Sequence, residues 1–116
     1  MDQSIILSNL FNVAELQSQL SWQPFREGVE IFPLYESGAD GSAAALLRYQ
    51  PGAAVPQHEH GGFEHILVLA GSQSDQKGTY EAGTLIINPP LSRHRVTSEF
   101  GCIVFVVWER PIQLCP

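Results

Sequence analysis

Basic residues are scarce in this chain. Lys and Arg together number six, against twelve Asp and Glu, for a formal net charge of −6 over 116 residues. So few cations form no basic patch, which argues against direct nucleic-acid binding and against adhesion to an anionic membrane surface. Cysteine is scarcer still. Cys102 and Cys115 are the two, and they form no CxxC pair. They read as thiols in a reducing compartment, with Cys102 buried in a strand. Also missing is any apolar stretch long enough to span a bilayer. The opening MDQSIILSNLFNVAEL has neither the basic start nor the long apolar core of a secretory leader. A cytoplasmic location is expected.

What remains is a composition suited to burial. The hydrophobic fraction is 44% and the charged fraction 16%, values of a folded domain rather than a disordered chain. The length fits a single domain over residues 1–116, its core at about 22–110, with roughly two thirds of the unfolded chain's surface buried.

Helical signals are also few. Asn12 followed by Glu15 offers a capping box for a short helix over about residues 13–20. From Gly28 onward the pattern is strands and turns. VEIFPLYE (29–36) is strand-like and suits a sheet edge because of Pro33. A turn at 36–42 leads to SAAALLRYQ (42–50) and then to a turn at PGAAVP. FEHILVLAG, TLIINPP and GCIVFVVWE are further strands, with a turn at Gln76-Lys77-Gly78. Seven or eight short strands at such intervals predict an all-β sandwich or barrel. LIIN and CIVFVVW are apolar on both faces, so something must cover each side: the barrel interior and a second sheet, a segment or a partner subunit. A homodimer is expected on that ground.

Three of the four histidines lie in PQHEHGGFEHILVLAG, residues 56–71. Side chains alternate along a strand, so His58 and His60 share a face. Gly61-Gly62 lets the chain reverse, and the next strand can bring Glu64 opposite the pair. The same alternation puts Ile66 and Val68 on the Glu64 side and turns His65, Leu67 and Leu69 away. His94 follows a strand and a proline turn, well placed as a fourth ligand. Two histidines and a carboxylate with open positions suit Fe(II), and a third histidine also suits Zn, Ni, Cu or Mn. A cation would allow such polar groups to be buried beside an apolar strand. Arg93 and Arg95 flank His94 and should point away from it. Arg48, the one cation within an apolar strand, is either a salt-bridged arginine or an anchor for a substrate carboxylate.

These residues resemble the cupin family. Its first motif is a glycine, five residues, HxH, three or four residues, a glutamate, six residues and a glycine. Gly52, His58, His60, Glu64 and Gly71 stand at those spacings. In the second motif Gly83, Pro89 and His94 fit, while Leu91 stands where the family has glycine and Ser98 where it has asparagine. Within cupins the chain is most similar to the ChrR-type cupin-like domain, through Trp22-Gln23-Pro24, Gly28-Val29, LLRYQPG at 46–52, and the tract from His58 through Ser74-Asp75 and Tyr80 to Gly83. The resemblance implies a cupin-type jelly roll of two antiparallel sheets. It also implies one divalent metal ion on His58, His60, Glu64 and His94. ChrR-type anti-sigma factors carry a separate N-terminal domain with an HxxxCxxC motif. This chain shows none, so the cupin part alone is expected.

Two activities follow from the resemblance. One is a metal-dependent dioxygenase acting on a small diketone or hydroxy-ketone. The other is a non-catalytic zinc-binding sensor or regulatory module, since four protein ligands can close a tetrahedral site. The fold alone does not choose between them.

Overall fold

The computed structural model describes residues 3–116. A single turn of α-helix, α1 (Val13–Leu16), lies between 3₁₀ turns at Leu10–Asn12 and Gln17–Gln19. Ten strands follow: β1 (Gln23–Arg26), β2 (Val29–Glu36), β3 (Ala43–Tyr49), β4 (Ala53–His60), β5 (Glu64–Asp75), β6 (Gly78–Glu81), β7 (Leu85–Asn88), β8 (Arg93–Ser98), β9 (Cys102–Trp108) and β10 (Ile112–Leu114).

The longest strand, β5, belongs to two sheets. Its first part, Glu64 to Gly71, pairs with β9 and, over Glu64 to Leu67, with β7. Its last part, Ser72 to Asp75, pairs with β6 and touches β8. One sheet therefore runs β1-β2-β3-β9-β5-β7 and the other β10-β4-β8-β5-β6, every pairing antiparallel. The result is one ten-stranded sheet curled on itself, an all-β roll as the strand pattern predicted and of the jelly-roll kind that the family resemblance implied. Gly71 sits at the corner with φ 72°, where a Cβ would collide with the Gly101 carbonyl and lie 2.9 Å from Cys102 Cα. Only glycine lets the two strands approach that closely.

The core fills the space between the sheets. Alternate residues of β3 (Ala45, Leu47, Tyr49), of β9 (Cys102, Val104, Val106) and of β5 (Ile66, Val68) face inward, joined by Val29, Val55 and Val96. Ile66 and Val68 thus lie on the side that alternation assigned them. At about 25 cal/mol per Å² of apolar surface, each fully buried Val or Leu contributes on the order of 2 kcal/mol.

The outer face of the first sheet is apolar too, and the N-terminal segment covers part of it. Ile5, Leu7 and Leu10 line a hollow together with Ala44, Phe105 and Val107. Trp22 packs edge-on to Phe32 at 6.3 Å. The second cover for CIVFVVW is therefore at least partly a segment of the same chain. LIIN is less protected, with Leu85 59% and Ile87 52% exposed.

Several expectations need correction. The helix is four residues long rather than eight, and Asn12 makes no side-chain capping bond. Tertiary contacts set this segment instead: the Gln17 carbonyl accepts from Trp22 Nε1 at 2.9 Å and Gln17 Oε1 accepts from Arg48 at 3.3 Å. The expected turn PGAAVP is confined to Pro51-Gly52, because β4 already begins at Ala53. β1, β8 and β10 carry strands that the pattern did not announce. β2 is not the edge strand expected from Pro33, since it lies between β1 and β3; β1 pairs with it only as far as Ile31, so at Pro33 one side is open, and the pairing with β3 shifts register just beyond it. Gly61-Gly62 does not form a hairpin. It carries the chain from β4 in one sheet to β5 in the other.

Candidate metal centre

The site is assembled from both sheets. His58 and His60 lie on β4, and His94 on β8 pairs directly with His58. Directly opposed residues share a face, so all three imidazoles point inward from the second sheet. Glu64, the first residue of β5, faces them from the first sheet. The four side chains are buried, from 1% exposure at His60 to 6% at His94. One ligand atom from each lies within 4.8 Å of all the others. His60 Nε2 is 3.0 Å from Glu64 Oε1 and 3.2 Å from His94 Nε2, and His94 Nε2 is 3.6 Å from the same carboxylate oxygen.

The other ring nitrogens decide where the protons are. His58 Nδ1 is 2.8 Å from the Pro56 carbonyl, which can only accept, so this nitrogen carries the proton. Pro56 sits at an irregularity of β4, between Val55 and His58, where the ladder shifts register. His60 Nδ1 is 2.8 Å from Ser92 Oγ, and that hydroxyl donates to the Pro89 carbonyl at 2.6 Å. With its proton so used, Ser92 accepts from His60. His94 Nδ1 is buried with no hydrogen bond, 3.6 Å from Asp75 Oδ2. Asp75 is held by the Tyr80 hydroxyl at 2.9 Å and the Lys77 amide at 2.8 Å. In neutral imidazoles this arrangement leaves the Nε2 lone pairs of His58 and His60 free to face the group that includes Glu64 and His94.

Glu64 is fixed on both sides. Asn88 Nδ2 donates to Oε1 at 3.1 Å and Trp108 Nε1 donates to Oε2 at 2.9 Å. Both donors are its direct cross-strand partners, on β7 and β9. Burial lowers the proton affinity of His58 and His94 below the usual 6.5. Burial pushes the Glu64 carboxyl up, but its close contact with His60 and the neighbouring imidazoles outweigh that and hold it below 4.5. A buried carboxylate facing three imidazoles, two of which resist protonation, is short of positive charge. A cation at their centre would supply it, and four such donors form a set that could hold one.

The remaining sequence candidates fall elsewhere. His65 turns to the outer face opposite Val107 and stacks near Phe63, at 6.4 Å. Arg93 and Arg95 are exposed, Arg93 pairing with Glu59 at 2.9 Å. Arg48 also points outward, to Glu30 at 2.8 Å and over the Trp22 ring at 4.5 Å, so it is the salt-bridged arginine and no substrate anchor. Cys102 is buried in β9, its thiol pushed up to about 11 by desolvation. Ser98 is fully buried and donates to the Ser72 carbonyl at 2.6 Å, tying β8 to β5. Asn88, Trp108 and Ser92, which bond the candidate ligand residues, carried no sequence signal beyond their strand and turn positions, and Asp75 appeared only within the tract of the family resemblance.

With fold and site in view, the comparisons are specific. The ChrR cupin-like domain family matches residues 13–110. The chain belongs to that family, and its fold is that of a cupin. It is 36% identical over 76 residues to the anti-sigma-E factor ChrR of Cereibacter sphaeroides, covering 63% of this chain and 36% of that protein. The chain thus spans about a third of the length of this relative. The structure is similar to ChrR in complex with SigE from Rhodobacter sphaeroides (TM-score 0.69, 25% identity, 92% of this chain and 70% of that one). It also superposes on an acetylacetone dioxygenase from Acinetobacter johnsonii (TM-score 0.79, 15% identity, 100% of this chain and 79% of that one), a likeness of fold. No helix among the described residues is long and apolar enough to cross a membrane.

Proposed function

We propose that this cupin binds one divalent metal ion through His58, His60, Glu64 and His94, and that the ion serves as a metal-dependent dioxygenase centre for a small organic substrate such as a diketone or hydroxy-ketone. One observation carries the metal assignment: His60 Nε2 and Glu64 Oε1 lie 3.0 Å apart while Ser92 takes the His60 Nδ1 proton. Two acceptors do not approach that closely without a positive centre between them. A proton on His60 would bridge two of the four atoms, whereas a cation satisfies all four together.

When bound, Fe(II) would supply the site for oxygen and substrate to meet. The chain's own residues do the rest. Pro56 and Ser92 orient the His58 and His60 imidazoles through Nδ1, Trp108 and Asn88 hold Glu64 as a carboxylate, and the apolar Ile66 and Val68 keep water from the interior. The acetylacetone dioxygenase likeness supports this reading at the level of the scaffold.

The alternative is a zinc-binding regulatory module. The 36% identity to an anti-sigma factor favours it, as does a ligand set able to close zinc on all sides.

Metal content after purification without added metals, followed by oxygen uptake of the Fe(II)-loaded protein with a panel of 1,3-diketones and hydroxy-ketones, tests both. Iron and substrate-dependent uptake lost in His94→Ala support the dioxygenase. Tightly held zinc with no uptake supports the module. No stoichiometric metal under any loading refutes both.

A further inference from the structure

Among the described residues, the half-buried Arg26 has a buried guanidinium nitrogen with no partner. Arg26 ends β1 and pairs with Val29, a core residue, so its side chain is aimed into the roll while the rest of β1 faces solvent. Its Nε is buried and makes no hydrogen bond. Its guanidinium lies 5.2 Å above the Phe25 ring, and it forms no ion pair among the described residues.

Arg26 also forms a wall of a cavity of about 360 Å³. Phe25, Ile31, Trp108 and Ile112 line it as well, with the exposed carboxylate of Glu36 at its rim. Two of these residues border the metal centre. Trp108 donates to Glu64, and Ile112 pairs directly with His60. The volume is that of a small-molecule site, apolar with a few polar groups. A buried guanidinium nitrogen without an acceptor is costly, and a planar carboxylate is the partner its fork of donors fits.

We propose that this cavity binds a small organic carboxylate, with the carboxylate on Arg26 and the rest of the molecule directed past Trp108 toward the four-residue centre. The anchoring role that the sequence offered to Arg48 thus falls to Arg26. The position of the ligand's far end rests on the metal reading above; the carboxylate contact does not.

Two isosteric probes test it: 3-oxobutanoate, and pentane-2,4-dione, in which a neutral acetyl group replaces the carboxylate. Each is titrated calorimetrically into the metal-loaded and the metal-free protein, and metal affinity is measured separately by chelator competition. The expected result is binding of 3-oxobutanoate at least about tenfold tighter than the dione. Arg26→Gln should erase that preference while leaving metal affinity within about twofold, and Arg26→Lys should keep part of it. Equal affinity for the two probes, no binding of either, or full 3-oxobutanoate binding by Arg26→Gln would overturn the inference. Failure of the protein to take up metal, with the Arg26-dependent preference intact in the metal-free protein, would instead refute the metal reading and leave this one standing.

Discussion

The Nδ1 of His60 lies 2.8 Å from Ser92 Oγ, a hydroxyl whose own proton is committed to Pro89 at 2.6 Å. This pair sets the tautomer of the most deeply buried imidazole. Ser92→Ala is therefore expected to weaken metal binding by about 10- to 100-fold, the range seen when a ligand's supporting bond is lost. Ser92→Thr should retain most of it. Chelator competition reads the change. Asp75→Asn, which removes a carboxylate 3.6 Å from His94 Nδ1 rather than a hydrogen bond, should weaken binding less than Ser92→Ala, and Tyr80→Phe less still.

Acid should loosen the metal-free protein. His58 and His94 have folded-state proton affinities below the ordinary 6.5, because burial disfavours their charged forms. As the pH falls through that value, the unfolded chain takes up protons first, so stability drops. Their contribution is present above about 6.5 and is lost as the pH falls through the folded values. Glu64, held below 4.5, acts in the same direction further down. The urea midpoint should fall steadily from about pH 8 to about pH 5. A midpoint that rises over that span would contradict the burial argument.

Leu91 occupies a position that suits glycine. Its φ is 71° and its side chain is 75% exposed, so it bears left-handed strain without burying much surface in return. The cost of such a conformation is roughly 1–2 kcal/mol, against a gain in unfolded-chain freedom of about 0.4–1 kcal/mol for glycine. Leu91→Gly should stabilise the protein by up to about 1 kcal/mol, seen as a rise of a few degrees in Tm. An unchanged or lower Tm would show that the Leu91 side chain does something the loop needs.

The homodimer expected from the doubly apolar strands now rests on β7. The N-terminal segment covers part of the first sheet's outer face, and Leu85 and Ile87 remain exposed there beside Leu67 and His65. A dimer mass by light scattering across the micromolar range, reverting to monomer in Ile87→Lys, is the expected outcome. A monomer throughout would remove the expectation.

The clustering of the four candidate ligand residues was legible in the sequence because their geometry is local or motif-bound. His58 and His60 need only the two-residue alternation of one strand, and His94 and Glu64 stand at spacings that a family shares. The supporting residues were not legible. Ser92 reaches His60 across 32 positions and Trp108 reaches Glu64 across 44, and no local pattern encodes such pairings. Arg26 was missed for the same reason, since its inward direction depends on Val29 across a bulged ladder. The Asn12–Glu15 signal failed in the opposite way: a plausible local cap was overridden by Trp22 and Arg48 gripping Gln17.

The four candidate ligand residues are divided between the two sheets, three on one and one on the other. An ion at their centre would act as a rivet through the roll, on the far side of the interior from the Gly71 bend. Its loss should let the open mouth near Trp108 breathe while the corner stays shut. Amide exchange would then quicken at Glu64 and Trp108 well before it does at Gly71 and Cys102.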